Sequence, residues 1–301
     1  MNHRLHTLCT LLLLTTCTVL MVTGVSSAQE KKSGEKKQIA ITFDELPAAR
    51  SFGEIDREAI TYLLLTTLKQ FEVKATGFVV ADQIEDSYDL LGQWLNDGHR
   101  LGNQTLSGQD YNRLGPEQFI QDIRKGDEAL ESMLSGFGQK KRYFRYPYLH
   151  YGDTQERRKQ ATLFLGAQGY VVCPATVVPE DYLYNLNLIK LGKVPDSAKY
   201  ENLMNEYINH VLDELERQER LAKDIMDRPI KQILLLRTNR LNAVFLGELL
   251  GALKDMGYEF VTLDSALKDE VYEIPEAYYD MKGLGYLDMI IESNPDLIPA
   301  K

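Results

Sequence analysis

Two adjacent carboxylates, Asp44 and Glu45, close the apolar run Ile39-Ala40-Ile41-Thr42-Phe43 and are followed by Leu46-Pro47. A carboxylate at the end of a buried strand can accept a proton from water or hold a cation, and a proline just beyond it stops the strand. Barrels built of βα units keep their chemistry at the carboxyl ends of the strands, which is where this pair would sit. Glycoside hydrolysis fits the pair poorly. It needs two carboxyl groups on opposite sides of one bond, roughly 5–9 Å apart, and sequence neighbours seldom provide that.

The elements that must carry these groups alternate along the chain. Strands are expected at 38–43, 75–80, 100–103, 143–146, 170–178, 232–236 and 259–263. Between them run helical patterns: 56–71 with Ile60, Leu63, Leu64 and Leu68 on one face, a helix opened by Pro116, and 241–256 ended by Gly257. Repeated βα units of this length imply an α/β fold with a parallel sheet, most simply a barrel. An insertion at about 180–229 interrupts the rhythm. It carries Tyr200, Leu203, Met204, Tyr207, Ile208, Val211, Leu212 and Leu215 at helical spacing, a stripe that is more often core than a partner face. Residues 268–301 show little periodicity and are expected to wrap the outside as a C-terminal extension.

Composition narrows the setting. Residues 5–29 carry no Asp, Glu, Lys or Arg, Arg4 precedes the apolar run, and Ser26-Ser27-Ala28 follows it. Residues 1–28 therefore read as a secretory signal peptide cut after Ala28; an uncleaved anchor is the rival reading, and no other stretch is long enough to span a bilayer. Residues 29–37 form a charged linker. The cleaved chain would hold 33 basic and 44 acidic residues, a formal net charge of −11. That argues against nucleic acid as a partner and suits a secreted or periplasmic protein with no membrane insertion after cleavage. Cys9 and Cys17 fall in the leader, so Cys173 alone remains and no internal disulfide is expected.

Five segments, in order, resemble the polysaccharide deacetylase (NodB-type carbohydrate esterase) family: ITFDELP, HRLGNQTLSGQD, RYFRYPYLH, VVCPATVVPEDYL, and ILLLRTNRLNA with GYEFVTLDSAL following. The resemblance covers residues 38–267 and implies a distorted (β/α) barrel with the insertion before the last strands. It further implies metal-dependent hydrolysis of an acetamide on a glycan: one aspartate as general base, the next aspartate and two histidines as ligands to zinc or another divalent metal, and a later histidine as acid. Carried across, Asp44 stands at the base position, Arg145 at the arginine that orients it, and the Tyr148 N–H, after Pro147, at the oxyanion donor. The remaining positions depart. Glu45 replaces the ligand aspartate, Gln104 and Gly108 replace the two ligand histidines, and Arg237 replaces the acid histidine.

An amide oxygen is a poor zinc ligand, glycine is none, and a guanidinium keeps its proton at neutral pH. No metal cofactor is expected, the alternative being a weakly bound divalent ion. Outside the leader the histidines are His99, His150 and His210: His99 reads as structural, His210 as remote, and His150 as a minor candidate for lining the site. Arg237 either compensates Asp44 and Glu45 in place of a cation or points to solvent. The functional expectation is a family member with impaired or absent catalysis and a retained glycan-binding cleft. The alternative is an active deacetylase or amidohydrolase with an atypical site; a scaffold role through the insertion is weaker. Tyr146, Tyr148, Tyr151, Tyr182 and Tyr184 offer aromatic faces for sugar stacking, or are ordinary core and rim residues.

Overall fold

The computed structural model describes residues 36–49, 56–192 and 196–297. The expected signal peptide and most of the charged linker lie outside the described residues. Strand β1 (Lys37–Leu46) leads to α1 (Arg57–Gln70), β2 (Thr76–Val79), α2 (Tyr88–Asn96), β3 (Arg100–Asn103) and α3 (Pro116–Gly136). Then come β4 (Arg142–Phe144), α4 (Gln155–Ala167), β5 (Tyr170–Val172), α5 (Asp181–Lys190) and α6 (Ser197–Met226). The chain continues through β6 (Lys231–Arg237), α7 (Arg240–Asp255), β7 (Tyr258–Val261), α8 (Leu263–Ala266) and α9 (Tyr286–Ser293).

The seven strands form one parallel sheet in the order β5-β4-β3-β2-β1-β6, with β7 paired to the start of β1. Strand β1 is buried on both faces: Ile39, Ala40, Ile41 and Phe43 are at most 1% exposed. That explains why its sequence is a continuous apolar run rather than an alternation. Helix α1 begins where Asp56 accepts a hydrogen bond from Ala59 N at 2.8 Å, and Gly257, at φ +84°, follows α7 in the left-handed conformation that ends helices. The α/β fold is as expected.

Two expectations, for the strand at 170–178 and for the C-terminal segment, need correction. Only Tyr170–Val172 of the strand expected at 170–178 joins a ladder; beyond it the chain is irregular, and Val177 makes one isolated parallel bridge to Leu234 of β6. The insertion carries its amphipathic stripe on the long helix α6, which the shorter α5 precedes. Leu203, Tyr207, Val211 and Leu215 of α6 are buried in the same core cluster as Leu246, Leu249 and Leu250 of α7, so the stripe is core. The C-terminal segment does not merely wrap the outside. Leu287, Met289 and Ile290 are fully buried, and Gly283, Leu284, Gly285 and Asp288 line a cleft.

His99 is structural, as expected. It is 2% exposed, its Nδ1 accepts from Ala75 N at 3.1 Å, and its ring meets Trp94 edge-on. Burial, reinforced by Lys74, lowers its pKa from 6.5 to about 4. The neutral ring is therefore favoured in the fold, and the unfolded chain binds the extra proton between those two values. Stability is complete above about pH 6.5 and falls as the pH drops toward 4, by roughly 3 kcal/mol from this group. His99→Gln can keep the acceptor and should flatten that part of the profile. Urea denaturation at about pH 7 and pH 4.5 should show a smaller acid loss in the variant; an identical loss would place the acid sensitivity elsewhere.

Candidate functional site

The register of β1 on β6 sets Asp44 opposite Arg237. In a regular strand Glu45 would point to the opposite face from Asp44. Here the pairing of β1 with β2 shifts between Phe43 and Leu46, and Glu45 takes φ 63°. This bulge brings both side chains to one cleft of about 1020 Å³. A non-glycine residue in that conformation costs about 1 kcal/mol, so the surrounding contacts must hold it.

Those contacts start with Arg145, which is fully buried beneath the cleft. Its Nη1 donates to Asp44 Oδ1 at 2.8 Å and to Thr42 Oγ1 at 2.7 Å. Nε donates to the Cys173 carbonyl at 3.0 Å, Nη2 to the Pro174 carbonyl at 3.2 Å, and the guanidinium lies 4.1 Å from the centre of the Phe78 ring. The irregular chain after β5 thus supplies the carbonyls that orient this arginine. The second oxygen of Asp44 accepts from Gln104 Nε2 at 2.8 Å, while Gln104 Oε1 accepts from Glu45 N at 2.7 Å. The amide orientation is fixed by chemistry, because a carboxylate needs a donor and a backbone N–H needs an acceptor.

Arg237 does not point to solvent. Its Nη1 donates to Asp181 Oδ1 at 2.7 Å, and its Nε lies 3.4 Å from Glu45 Oε1. Burial pulls its pKa down, but Asp181, Glu45 and Asp44 outweigh that, and the net shift is upward. Asp181 was missed in the sequence. It is fully buried at the start of α5, and its Oδ2 also accepts from Arg237 N at 2.7 Å and Asn242 Nδ2 at 2.6 Å. The signal was in VVPEDYL, whose aspartate received no role.

The cleft is further lined by Gly108, Pro147, Tyr148, His150, Tyr182 and His210. His210 is therefore not remote: its Nε2 accepts from Glu180 N at 3.3 Å. His150 Nδ1 lies 2.8 Å from Asp110 Oδ1. Tyr148, at φ 60°, and Tyr182 are 55% and 43% exposed, leaving ring surface for a ligand. The Gly283 backbone presses on the Tyr148 carbonyl so closely that an added Cβ would lie 2.0 Å from its oxygen. Tyr146 and Tyr151, by contrast, are buried core residues outside this cleft.

The residues at the ligand positions do not fit a zinc ion. Both ends of the Gln104 amide are engaged within the protein, Gly108 brings no donor, and an imidazole at 108 would start from φ +65° with its Cβ 3.0 Å from Val80 Cγ2. Among the described residues no group of three His, Cys, Asp or Glu side chains converges at a spacing suited to a metal.

Removing Arg237 would leave Asp181 buried and short of its cationic partner. Arg237→Met should therefore destabilise the fold by about 3–5 kcal/mol. Asp181→Asn in the same chain should recover part of the loss. Urea denaturation of the single variants and the pair measures this, and purely additive effects would show that the two residues are not coupled.

The sequence model of the polysaccharide deacetylase family matches residues 31–166, a stretch that includes Asp44, Gln104, Gly108, Arg145 and Tyr148 and stops short of Asp181 and Arg237. The peptidoglycan-N-acetylglucosamine deacetylase of Bacillus cereus is 32% identical over 113 residues, covering 38% of this chain and 37% of that protein. The chain thus spans little more than a third of that relative. The putative polysaccharide deacetylase YheN of Bacillus subtilis is 25% identical over 244 residues, 81% of this chain and 73% of its own. Among solved structures, a CE4 family pseudoenzyme from Bacillus anthracis aligns with TM-score 0.53 at 16% identity, covering 78% of this chain and 66% of that one. The polysaccharide deacetylase Bc1974 from Bacillus cereus aligns with TM-score 0.52 at 19% identity, covering 75% and 92%. These structures share the fold. Over residues 31–166 the chain is similar to the polysaccharide deacetylase family.

Proposed function

We propose that this protein is an extracytoplasmic, catalytically impaired member of the polysaccharide deacetylase family that binds an N-acetylated glycan in the Asp44 cleft. One observation carries the reading: the Gln104 amide bonds both Asp44 and Glu45 at the place where the resemblance puts a ligand histidine. The exposed faces of Tyr148 and Tyr182 suit sugar stacking, and the cleft has room for more than one ring. Relatives named as deacetylases of peptidoglycan N-acetylglucosamine support a glycan as the ligand class. The location is supported by the leader-like composition of residues 1–28; among the described residues no helix is long and apolar enough to cross a membrane. The intact Asp44–Arg145 pair favours one alternative, an active deacetylase with an atypical site.

Two measurements separate these readings. N-acetylglucosamine oligomers should bind saturably by calorimetry, with affinity falling about tenfold in Tyr148→Ala through loss of stacking. Neither zinc nor a chelator should move the melting temperature, and no acetate should be released. Chelator-sensitive acetate release from the unaltered protein would overturn the impaired reading, and absence of any oligomer binding would overturn the glycan reading.

Restoring Glu45→Asp, Gln104→His, Gly108→His and Arg237→His together should recover zinc binding by metal analysis. Stability should drop, because Asp181 loses its guanidinium and residue 108 is strained. Val80→Ala, which clears the atoms nearest the new Cβ, should raise zinc uptake further. Failure of both variants to take up zinc would mean that positions 104 and 108 do not correspond to the ligand histidines.

A further inference from the structure

His150 and Asp110 both line the cleft, yet neither belongs to the hydrogen-bond network around Asp44. The His150 backbone N–H donates to the Pro147 carbonyl at 3.1 Å, which fixes where the side chain leaves the main chain. Its Nδ1 lies 2.8 Å from Asp110 Oδ1. The same oxygen accepts from Asn112 N at 2.8 Å, and Arg113 Nε lies 3.6 Å from Asp110 Oδ2. A carboxylate among donors offers lone pairs only, so Nδ1 carries the proton and, in the neutral ring, Nε2 carries a lone pair. Gly283 backs the Cδ2 edge, where an added Cβ would lie 3.2 Å away, and the centre of the Tyr148 ring is 5.8 Å from that of the imidazole. The ring is thus held in place. Its Nε2 makes no hydrogen bond among the described residues and stays accessible, on a side chain that is 18% exposed.

We propose that His150 is a specificity-determining residue of this cleft: its Nε2 accepts a hydrogen bond from a hydroxyl of the sugar unit that stacks on Tyr148. The inference rests on the glycan reading above and adds which group of the ligand is read. Stacking on an aromatic face uses the apolar side of a sugar ring and leaves its hydroxyls around the rim, where the neighbouring imidazole stands. An acceptor of fixed tautomer selects for a donor. A ligand carbonyl at this point would set one lone pair against another, and Asp110 holds the ring proton on the far nitrogen. A site built to hydrogen-bond a hydroxyl discriminates strongly against an analogue that lacks it. Asp110 is then a positioning residue, acting on the ligand only through the imidazole.

The test uses the whole protein with isotope-labelled histidine nitrogens at about pH 8, where an unperturbed imidazole is neutral. Ring signals are assigned by single histidine variants. Free His150 should show a protonated Nδ1 and a bare Nε2. Saturation with the trimer of N-acetylglucosamine should move the Nε2 resonance toward that of a hydrogen-bonded nitrogen, while Nδ1 and the buried His99 stay fixed. By calorimetry, His150→Phe, which keeps a ring without an acceptor, should bind the trimer about tenfold more weakly. His150→Gln, whose amide oxygen can stand in for Nε2, should recover part of that loss. If the phenylalanine variant does not fold, the Nε2 resonance of the unaltered protein still decides. Trimer binding with Nε2 unmoved, a proton on Nε2 in the free protein, or undiminished affinity in His150→Phe would each overturn this inference and leave the glycan reading standing. Absence of any trimer binding would overturn both.

Discussion

Charge compensation at the mouth of the sheet is the constraint on which the rest of the site depends. Asp44 and Asp181 are at most 4% exposed, and Glu45 lines the cleft beside Asp44. Buried carboxylates remain ionised only when cations and donors surround them. Arg145 from the end of β4 and Arg237 from the end of β6 serve this need on two sides, the first aimed by irregular chain and the second by the start of α5. The carbonyls of Cys173 and Pro174 set the first. The Asp181 carboxylate, which bonds both the backbone and the side chain of Arg237, sets the second. The distortion of the sheet beyond β5 is therefore part of the site, since a regular strand at 173–178 would send those carbonyls into a neighbouring strand.

The outer parts of the cleft rest on a second charge system, built from the insertion and the C-terminal segment. Arg217 of α6 donates to both oxygens of Asp288 at 2.7 and 2.8 Å, and also holds Glu214. Tyr286 N donates to the Ala175 carbonyl at 2.7 Å. The same irregular segment that orients Arg145 thus anchors α9, and the cleft wall is tied to the buried pair by short, directional links.

Much of this could be read from the residues. The apolar run before Asp44, the periodicity of α1, α3 and α7, and the glycine after α7 all reflect local chemistry that tertiary structure did not override. Asp44, Glu45, Gln104, Arg145 and Arg237 are brought together as the ordered segments implied. Asp181 was hidden because a lone acidic residue at a helix start also reads as an ordinary cap. His210 was hidden because helical spacing shows which side of α6 is buried but not what its edge faces. The C-terminal segment lacks periodicity because its glycines answer to backbone contact: Gly283 and Gly285 lie against the carbonyls of Tyr148 and Thr176, where a Cβ would fall 2.0 and 2.7 Å from oxygen.

Glutamine at 104 follows from the same geometry. Its two neighbours make opposite demands, a donor toward Asp44 Oδ2 and an acceptor toward Glu45 N. A primary amide carries both functions on adjacent atoms of one plane. A neutral imidazole carries them on separate nitrogens directed apart, and a carboxylate has no donor at all. The left-handed turn at Glu45 needs its N–H held, and the buried Asp44 needs its second oxygen satisfied. One amide does both. Both ends of the side chain at residue 104 are thus committed to holding the loop.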